Sequence, residues 1–502
     1  MSAVIAAQPA PSAAAAAFLA RPARLLIDGE WVRSQSAATV PVIDPATGET
    51  ICTVADANAA DVDRAVKAAR AALERGPWPA LKPAERQALI WRLSDLIDAH
   101  AEELAELESI DNGKTKVMAG IVDIPGTRDY FRYMAGWATK IEGSTIDVSI
   151  GGPPGSKVNA YTRREPVGVV GQIIPWNFPL AMAAWKLAPA LAAGCTCILK
   201  PAEQTPLTAL RLGELILEAG FPAGVVNILT GYGETTGDAI VRHPDIDKIA
   251  FTGSVEVGKI VNKNATDTLK RVSLELGGKS PVIVLSDADV DTAVKGASGA
   301  IFFNAGQVCA AGSRLYVHRK IFDDVVAGIG AAAADIRLGP GLHPETQMGP
   351  LVSREQQERV LRYIDSGREE GASVVAGGER LDHPGYYVKP TVLATSRHDI
   401  RVVQEEIFGP VLVAQRFDDL DEIAALANAT PYGLSASVWS NDLKAVHRLV
   451  PKIKAGTVWV NCHGPVDPNM PFGGFKQSGI GREHGRGAMD MYTEVKSVCM
   501  LV

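Results

Sequence analysis

A chain of 502 residues is too long for one hydrophobic core, so its length predicts two or three domains. Its composition, 47% hydrophobic and 21% charged, is that of a globular protein. The net charge of −7 comes without any block of like charge, which argues against a partner nucleic acid and against a polybasic membrane contact. The apolar runs are too short for a membrane span. Six cysteines without disulfide or metal-ligand spacing indicate a reduced cytoplasmic setting and no metal.

The first 20 residues are rich in alanine and lack the basic start of a signal peptide, so residues 1–20 are predicted to be a disordered tail. A transit peptide is the minor alternative, because Arg21 and Arg24 follow an acid-free stretch. A hairpin-like start is predicted from Leu25 onward. Helical periodicity over 59–75 and 83–107 predicts two scaffold helices with charged outer faces.

Between residues 166 and 285 the pattern alternates between apolar strands and helices. Strands are predicted over 167–174, 195–199, 225–229, 248–251, 272–276 and 282–285. Helices are predicted over 180–193 and 209–218, with two more beginning at Gly231 and Val257. Apolar strands separated by helices are typical of a parallel, doubly wound sheet, which binds its ligand at the carboxyl ends of the strands.

A second alternation over 293–460 predicts another α/β domain, with a helix over 356–370, a strand over 411–417 and a helix over 420–428. Residues 492–502 alternate enough to form a strand. A chain that ends on an uncovered strand favours pairing with another subunit, because the strand presents unpaired backbone groups.

Two glycine-containing turns follow strands and begin helices, as dinucleotide-binding loops do. The first contains Gly233 and Gly237, but its spacing differs by one residue from the usual fingerprint and no acidic partner follows. In the second, over 251–258, Gly253 lets the backbone approach a ligand. Ser254 and the first free amides of the helix would then bind a pyrophosphate. An ordinary serine-capped helix is the alternative.

Lys200 and Glu203 lie just past a predicted strand end. Lys200 can donate to ribose hydroxyls or phosphate, and Glu203 can accept from a ribose diol. A carboxylate at this point would repel a 2′-phosphate, so the pair favours NAD, with NADP as the alternative. A surface turn without a ligand would explain the same residues.

Cys309 lies in a short polar loop between Gly306 and Gly312, after an apolar run and before a strand-like run. A thiol on such a turn can be presented to a ligand while its neighbours stay in place. The alternative is a small buried hydrophobic residue, which is what most free cysteines are.

Seven motifs occur in an order that resembles the NAD(P)-dependent aldehyde dehydrogenase family, and the bacterial phenylacetaldehyde dehydrogenases within it. The similarity extends from about Leu26 to the C-terminus. The motifs are Ile174-Pro-Trp-Asn-Phe-Pro179, Lys200-Pro-Ala-Glu203, Phe251-Thr-Gly-Ser254, Leu274-Glu-Leu-Gly-Gly-Lys279, Gly306-Gln-Val-Cys309, Glu406-Ile-Phe-Gly-Pro410 and Pro471-Phe-Gly-Gly474.

The resemblance implies an aldehyde dehydrogenase-like α/β fold in three parts. A Rossmann-type, doubly wound NAD-binding domain would comprise residues 21–145 and 165–277, and an α/β catalytic domain residues 278–480. A small β oligomerisation element would combine residues 146–164 with 486–502. Family members are homodimers or homotetramers, so the expected partners are the small-molecule aldehyde and further copies of the chain.

The resemblance also implies the chemistry. Cys309, as thiolate, would attack the aldehyde carbon, and the thiohemiacetal would release hydride to the nicotinamide and leave a thioester. Asn177 and the Cys309 backbone N–H would hold the oxyanion. Glu275, between two leucines that should raise its pKa, would activate the hydrolytic water, and this favours acid as product over transfer to coenzyme A. Lys186 and Glu483 resemble secondary polar residues near the site, with a structural ion pair as the alternative.

For the cofactor, the resemblance makes Glu406 the ligand of the nicotinamide ribose and places Phe408 near the ring. Trp176 would pack under the cofactor without reacting. The full set of expected cofactor contacts is Ile173, Ile174, Pro175, Trp176, Lys200, Ala202, Glu203, Gly233, Gly237, Phe251, Thr252, Gly253, Ser254, Val257, Leu276, Gly277, Gln356, Glu406 and Phe408.

Four aromatic residues, Phe178, Trp185, Phe303 and Phe472, could line a tunnel for an aromatic or medium-chain aliphatic aldehyde, although a core role explains each one as well. No cage for a cationic substrate is evident. A betaine-type or broad-specificity aldehyde dehydrogenase, a cofactor-independent Cys/Glu esterase and a non-catalytic binding protein are the alternatives.

Overall fold

Two large sheets built from different parts of the chain organise the computed structural model, which describes residues 8–502. The first sheet has eight strands, in the spatial order Gly479–Ile480, Arg271–Glu275, Lys248–Thr252, Val169–Ile173, Thr196–Lys200, Val226–Ile228, Leu25–Ile27 and Glu30–Val32. The five strands from Arg271–Glu275 to Val226–Ile228 are parallel. The predicted parallel sheet is confirmed, with antiparallel strands added at both edges.

The second sheet has seven strands. Its spatial order is Ser373–Ala376, Thr391–Ala394, Val411–Phe417, Arg314–His318, Pro281–Val284, Ser435–Trp439 and Thr457–Val460. All neighbours are parallel except Ser373–Ala376, which is antiparallel to Thr391–Ala394. This is the second α/β domain that the later alternation predicts.

The strand predicted over 282–285 is present as Pro281–Val284, but it belongs to the second sheet, so grouping it with the first alternation was wrong. Only five residues separate it from Arg271–Glu275. Parallel neighbours in one sheet need a crossover of about a dozen residues or more. A five-residue connection is too short for that, and it must therefore lead to a different sheet. The connection carries the chain from one sheet to the other.

Two smaller antiparallel sheets complete the strands. One pairs Thr39–Ile43 with Thr50–Ala55. The other has the order Thr493–Leu501, Val158–Pro166 and Thr145–Ile146, so the predicted C-terminal strand pairs within its own chain along one edge.

Helices cover both faces of the first sheet, as expected for a doubly wound arrangement. Those before the second sheet are Ala13–Leu19, Ala59–Glu74, Pro83–Ala99, Ala101–Asn112, Lys116–Met118, Ile124–Ala135, Pro179–Ala193, Leu207–Ala219, Asp238–Arg242 and Val255–Ala265. The remainder are Val290–Phe302, Phe322–Asp335, Arg354–Glu369, Arg401–Gln404, Leu420–Asn428, Leu443–Leu449 and Gly485–Met491. Short 3₁₀ or π turns occur at Trp78–Ala80, Ala119–Asp123, Gly233–Gly237, Thr266–Thr268, Phe303–Gly306, Arg319–Ile321, Val450–Lys452 and Lys476–Ser478.

The helix boundaries follow local sequence signals. Asn58 accepts hydrogen bonds from two first-turn amides, and Asp61 completes the capping box that begins Ala59–Glu74. Pro179–Ala193 ends at Gly194, whose φ of 94° lies in the left-handed region that a glycine adopts without strain. Within residues 8–502, no helix is both long enough and apolar enough to cross a bilayer.

The predicted disordered tail needs a correction. Residues 1–7 lie outside the described part of the chain, but Ala13–Leu19 forms a helix capped by Ser12. Ala15 and Phe18 are buried in the main apolar cluster of the first sheet, where this helix meets Ala101–Asn112. Alanine has the highest helix propensity. Burial of Ala15 and Phe18, together with the hydrogen bond from the Ser12 amide to Glu106, holds this alanine-rich segment in place as a helix.

Arg314 ties the strand that follows the cysteine loop to its surroundings. Its fully buried guanidinium donates to the carbonyl of Lys279 (2.7 Å) and to those of Leu426 (3.1 Å) and Ala427 (2.8 Å), near the end of the helix Leu420–Asn428. A lysine carries its three N–H donors on a single nitrogen, so it cannot reach the carbonyls that the three separate nitrogens of Arg314 contact.

We therefore expect Arg314→Lys to lower the free energy of unfolding by about 2–4 kcal/mol, because buried carbonyls lose their donors. Thermal or urea denaturation followed by tryptophan fluorescence measures the loss. Arg319→Lys, at an exposed arginine paired with Asp418, is the matched control and should change stability by about 0.5 kcal/mol or less. Equal losses of stability at both positions would contradict the stabilising role given to the buried hydrogen bonds of Arg314.

Candidate functional site

The carboxyl ends of four parallel strands meet along one edge of the first sheet. Ile173 lies opposite both Phe251 and Lys200, and Thr252 lies opposite Glu275. The chain order of the strands reverses between Val169–Ile173 and Lys248–Thr252, and this reversal is where doubly wound sheets bind ligands. The register therefore brings Ile173, Lys200, Thr252 and Glu275 to one cleft.

Lys200 and the first glycine turn face each other across this cleft. A Cβ added at Gly237 would lie 3.6 Å from Cε of Lys200 and 3.9 Å from Ile173. The buried Lys200 ammonium donates to the carbonyl of Pro201 (2.8 Å) and lies 3.5 Å from a carboxyl oxygen of Glu203, while burial lowers its pKa. Ala202, which precedes Glu203 in the chain, is buried. The turn with the irregular spacing, Gly233–Gly237, thus lies at the same edge as Lys200.

The second turn also reaches the cleft. The Ser254 hydroxyl accepts a hydrogen bond from the amide of Val257, so the capped helix given as the alternative is present. Val257 is nevertheless 44% exposed although it is apolar. A Cβ at Gly253 would lie 2.5 Å from the Phe251 ring, so only glycine fits there. The helix N-terminus stands beside Thr252, whose buried hydroxyl has no hydrogen-bond partner among the described residues.

At the far end of the cleft the Glu406 carboxylate packs on a two-glycine bend. It accepts a hydrogen bond from the amide of Gly278 (2.9 Å), and a Cβ at Gly277 would collide with it. Removal from water raises the pKa of Glu406 to about 7. Leu276, which precedes the bend, is buried.

Phe408 lies two residues after Glu406. Its backbone φ is 61°, an uncommon value for a bulky residue. Its ring meets Trp176 edge to face, with the ring centroids 5.2 Å apart. The side-chain amide of Gln356 donates to the carbonyls of Ile407 (3.3 Å) and Phe408 (2.7 Å), so it holds this loop in place. Direct contact of Gln356 with a cofactor stays a prediction. Ile174 and Pro175 connect the strand end to Trp176, with Ile174 buried.

Cys309 lies in an aromatic pocket. The half-buried residue packs with Trp185 against Trp459 and Phe472, in a cluster that also contains a second free cysteine, Cys462. Removal from water and the negative charges of Glu275 and Glu406 raise the pKa of Cys309 to about 12, against the opposing effect of backbone amides that face the sulfur. The resting thiol is therefore protonated at neutral pH.

Glu275, the last residue of its strand, faces the same pocket. Its carboxyl is buried, and its Oε2 lacks a hydrogen-bond partner in the described part of the chain. Burial raises the pKa of Glu275 well above its usual value, and the negative charge of Glu483 adds to the rise, whereas Lys186 and Arg482 oppose it. A desolvated carboxyl group beside a thiol has the properties of a general base.

Lys186 and Glu483 form a buried ion pair behind Glu275. Lys186 lies on the helix Pro179–Ala193, and the backbone of Glu483 exchanges two hydrogen bonds of 2.8 Å with that of Phe472. The structural ion pair given as the alternative is therefore present. Because both charges shift the pKa of Glu275, the pair also sets the electrostatics of the site.

Asn177 is fastened to the cysteine loop from the other side. Its buried side-chain amide donates to the backbone carbonyl of Gln307 (2.9 Å). The backbone carbonyl of Asn177 accepts from the side-chain amides of Asn304 (3.0 Å) and Asn112 (3.4 Å). Sequence reasoning missed Asn112 and Asn304. Asn304 lies two residues before the motif that begins at Gly306, and the signal that marks it, a φ of 47°, is visible only in the structure.

The four aromatic residues proposed for the substrate form two pairs. The rings of Trp185 and Phe472 pack edge to face beside Cys309, with their centroids 5.3 Å apart. The rings of Phe178 and Phe303 stack with their centroids 6.1 Å apart, and the ammonium of Lys114 lies over the Phe178 ring. Only the first pair packs with the thiol. Sequence reasoning missed Trp459 and His484, which lie outside the last motif on either side of it. The ring centroids of His484 and Trp185 are 4.1 Å apart.

Comparisons with known proteins agree with this geometry. Residues 31–498 match the model of the aldehyde dehydrogenase family. A phenylacetaldehyde dehydrogenase of Pseudomonas fluorescens is 53% identical over 479 residues, which cover 95% of each chain. The NAD+ complex of an aldehyde dehydrogenase from Bacillus cereus has a TM-score of 0.96 at 51% identity, covering 98% of this chain and 99% of that one.

A betaine aldehyde dehydrogenase from Staphylococcus aureus, in complex with NAD+, is also similar, with a TM-score of 0.94 at 40% identity over 97% of this chain and 96% of that one. The chain therefore belongs to the aldehyde dehydrogenase family and is an enzyme of that family. The predicted family and fold are confirmed.

The raised pKa of Cys309 generates a prediction. Alkylation of Cys309 by iodoacetamide should be slow at pH 7 and rise steadily to pH 9 and above, because only the thiolate reacts. Glu406→Gln removes one of the negative charges and should accelerate the reaction at pH 8–9 by roughly 3–10-fold. Site-resolved mass spectrometry measures the rates, with the exposed Cys499 as internal control. A profile for Cys309 that is flat above pH 7 would contradict the assigned electrostatics.

Proposed function

We propose that the enzyme oxidises an aromatic aldehyde such as phenylacetaldehyde, or a medium-chain aliphatic aldehyde, to the carboxylic acid with NAD as cofactor. The reaction proceeds through a cysteine thiohemiacetal and a thioester. The observation that carries the proposal is the unpartnered, buried carboxyl group of Glu275, placed beside the Cys309 thiol at the carboxyl edge of the doubly wound sheet.

The first step is addition of the Cys309 sulfur to the aldehyde carbon. The thiol proton must leave to solvent as the C–S bond forms, because only the thiolate adds to the carbonyl carbon. The developing oxyanion is held by the Asn177 side-chain amide and the Cys309 backbone N–H. Each donor lowers the barrier by roughly 3 kcal/mol. The contact between Asn177 and Gln307 supports this role, since it fixes the amide against the cysteine loop.

NAD, when bound, supplies the acceptor for the hydride that leaves the former aldehyde carbon. Residues on the cleft fit this cofactor. Lys200 and Glu203 would take the adenine ribose, the N-terminus of Val255–Ala265 the pyrophosphate, and Glu406 the nicotinamide ribose. The unpartnered hydroxyl of Thr252 and the two-glycine bend that admits Glu406 support the fit.

The last step is hydrolysis of the thioester. Glu275 takes a proton from water as the water oxygen bonds to the acyl carbon, and the C–S bond breaks to release the Cys309 thiolate. The raised pKa makes Glu275 a stronger base than an exposed glutamate, but it must first lose its own proton. The charges of Lys186 and Glu483 adjust this balance.

The aromatic pocket supports the choice of substrate. Trp185, Trp459 and Phe472 surround the thiol with apolar surface that suits a phenyl ring or an alkyl chain. The same rings could attract a quaternary ammonium group, so betaine aldehyde is the second candidate. A carboxylate facing the Cys309 sulfur could also cleave activated esters without cofactor, which keeps the esterase as a further alternative.

Two further expectations remain proposals. We propose that the enzyme is a homodimer or homotetramer, supported by the exposed apolar side chains of Ile146, Val495, Met500 and Leu501 on the small three-stranded sheet. We also propose a reducing cytoplasmic setting, supported by six cysteines that are all free thiols.

An aldehyde panel tests the function. Formation of NADH should be fastest with phenylacetaldehyde or a medium-chain aldehyde, and Cys309→Ala should reduce it by about 10⁴-fold or more because no other group bonds to the substrate. Cys462→Ala, a thiol in the same pocket, is the matched control and should keep turnover within about threefold. Fastest turnover of betaine aldehyde would replace the substrate class. Ester cleavage without any aldehyde-dependent formation of NADH would show that the enzyme is an esterase and not an aldehyde dehydrogenase.

The separate roles of Cys309 in hydride transfer and of Glu275 in thioester hydrolysis give a further prediction. Glu275→Gln should retain a rapid burst of one NADH per active site and then turn over roughly 10²–10⁴-fold more slowly, because water lacks its base. In the parent enzyme, acyl release should accelerate as pH rises, since a carboxyl group with a raised pKa becomes a base only on losing its proton. Stopped-flow absorbance resolves both phases. A variant that has lost the burst would show that Glu275 is needed before hydride transfer.

A further inference from the structure

The imidazole of His463 connects the cysteine loop to the second sheet. Its Nε2 lies 2.8 Å from the backbone carbonyl oxygen of Ala310, the residue that directly follows Cys309. Its Nδ1 lies 3.0 Å from Oγ of Ser437, which is on a central strand of that sheet. The half-buried ring also packs against the ring of Trp459, with the centroids 4.7 Å apart. One side chain therefore joins the neighbour of the proposed nucleophile to a buried strand.

The hydrogen-bond partners of His463 determine its tautomer. A carbonyl oxygen only accepts, so Nε2 carries the proton and donates to Ala310. In the neutral ring Nδ1 is then an acceptor. The Ser437 hydroxyl can donate to it, because the same oxygen accepts from the indole N–H of Trp439 (3.3 Å). Burial lowers the pKa of His463 to about 4, so the ring is neutral at physiological pH and acts as a fixed donor.

His463 is the shorter of two hydrogen-bond contacts that side chains make with the Ala310 carbonyl. The Ser435 hydroxyl also approaches this oxygen, at 3.2 Å. Its single hydrogen can be given to only one acceptor, and Oγ of Ser280 is closer, at 2.8 Å. Ala310 is buried, so its carbonyl would depend on a shared donor if the imidazole were lost.

The Ala310 carbonyl belongs to the backbone that surrounds the sulfur. The backbone amides of Cys309 and Ala310 face the thiol and favour its ionised form. On the other side of Cys309, the Asn177 side-chain amide holds the carbonyl of Gln307 (2.9 Å). The cysteine loop is therefore held at both ends, by Asn177 before the nucleophile and by His463 after it.

We propose that His463 is a positioning residue. By donating from Nε2 to the Ala310 carbonyl, it keeps the backbone amides directed at the Cys309 sulfur and so sets how readily this sulfur bonds to an electrophile. The effect on alkylation of the thiol is independent of the proposed function, whereas the effect on aldehyde oxidation rests on it. The competing explanation is that the ring only fills space beside Trp459.

Two substitutions separate the hydrogen bond from the packing. His463→Gln keeps an N–H donor near the position of Nε2, whereas His463→Met has a similar length and no donor. Both lose the aromatic ring, so a loss of packing would affect them alike. We expect alkylation of Cys309 by iodoacetamide at pH 8–9 to slow by roughly 3–10-fold in His463→Met, with its pH profile moved to higher pH. His463→Gln should stay within about twofold of the parent enzyme.

Site-resolved mass spectrometry measures these rates, with the exposed Cys499 as internal reference. His318→Met is the matched control, because His318 is also half-buried against an aromatic ring, that of Phe417. It lies at the far end of the strand that follows the cysteine loop, so its replacement should leave the alkylation of Cys309 unchanged. Equal rates in His463→Gln and His463→Met would overturn the proposal.

Chemical rescue provides a second variant if His463→Met fails to fold, which its thermal midpoint would show. In His463→Ala, added imidazole should restore about half or more of the alkylation rate, because its N–H can reach the Ala310 carbonyl. The analogue 1-methylimidazole has no N–H donor and should not restore the rate. Equal rescue by both compounds, or rescue by neither, would overturn the proposal.

Pre-steady-state kinetics test the effect on catalysis. His463→Met should slow the burst of NADH by about tenfold while KM for NAD stays within about twofold, because addition at the sulfur is affected and the cofactor cleft is not. His463→Gln should keep the burst rate. A parental burst rate in His463→Met would overturn the effect on catalysis. If the enzyme oxidises no aldehyde, the alkylation rates still decide whether His463 acts on the sulfur.

Discussion

Desolvation of two acidic groups that face each other, the Cys309 thiol and the Glu275 carboxyl, is the constraint on which the rest of the site depends. Removal from water raises both pKa values, and the negative charge of Glu275 adds to the rise for Cys309 while that of Glu483 adds to the rise for Glu275. The proposed reaction uses the two charged forms in turn, first a thiolate and later a carboxylate, and never requires both at once.

The fold supports this constraint through close backbone approaches. Gly473 lies so near Glu275 that a Cβ there would be 2.7 Å from Oε1, and Gly277 leaves room for Glu406 in the same way. Ser478 joins the two domains at this point, because its carbonyl accepts from the amide of Leu276 and its hydroxyl donates to the carbonyl of Gly277. The strand Gly479–Ile480 then pairs with Arg271–Glu275 and closes the site. The bend that follows Glu275 and residues 473–480 thus exclude water from the buried carboxyl group.

Local pattern and motif order predicted a large part of this arrangement. The alternation of apolar strands with glycine-terminated helices identified the doubly wound sheet, because a strand buried on both faces must be apolar throughout. The structure ties Asn177 to the cysteine loop through its hydrogen bond to Gln307, whereas the catalytic roles of Asn177, Glu275 and Cys309 stay predictions. The helix Ala13–Leu19 was missed because an alanine-rich segment becomes ordered only through tertiary contacts such as the burial of Phe18. The strand Pro281–Val284 was grouped with the wrong sheet because periodicity carries no information about which neighbours a strand will pair with.

By itself, the sequence determined which segments are strands or helices, which family the chain belongs to, and which side chains are available for chemistry. These properties depend on local propensity and on residue identity. Only the tertiary structure decided that Phe178 and Phe303 stack on each other whereas Trp185 and Phe472 surround the thiol, and that Lys186 pairs with Glu483 behind the base. Contacts between residues far apart in the chain, and the desolvation that shifts a pKa, arise only when both domains pack together.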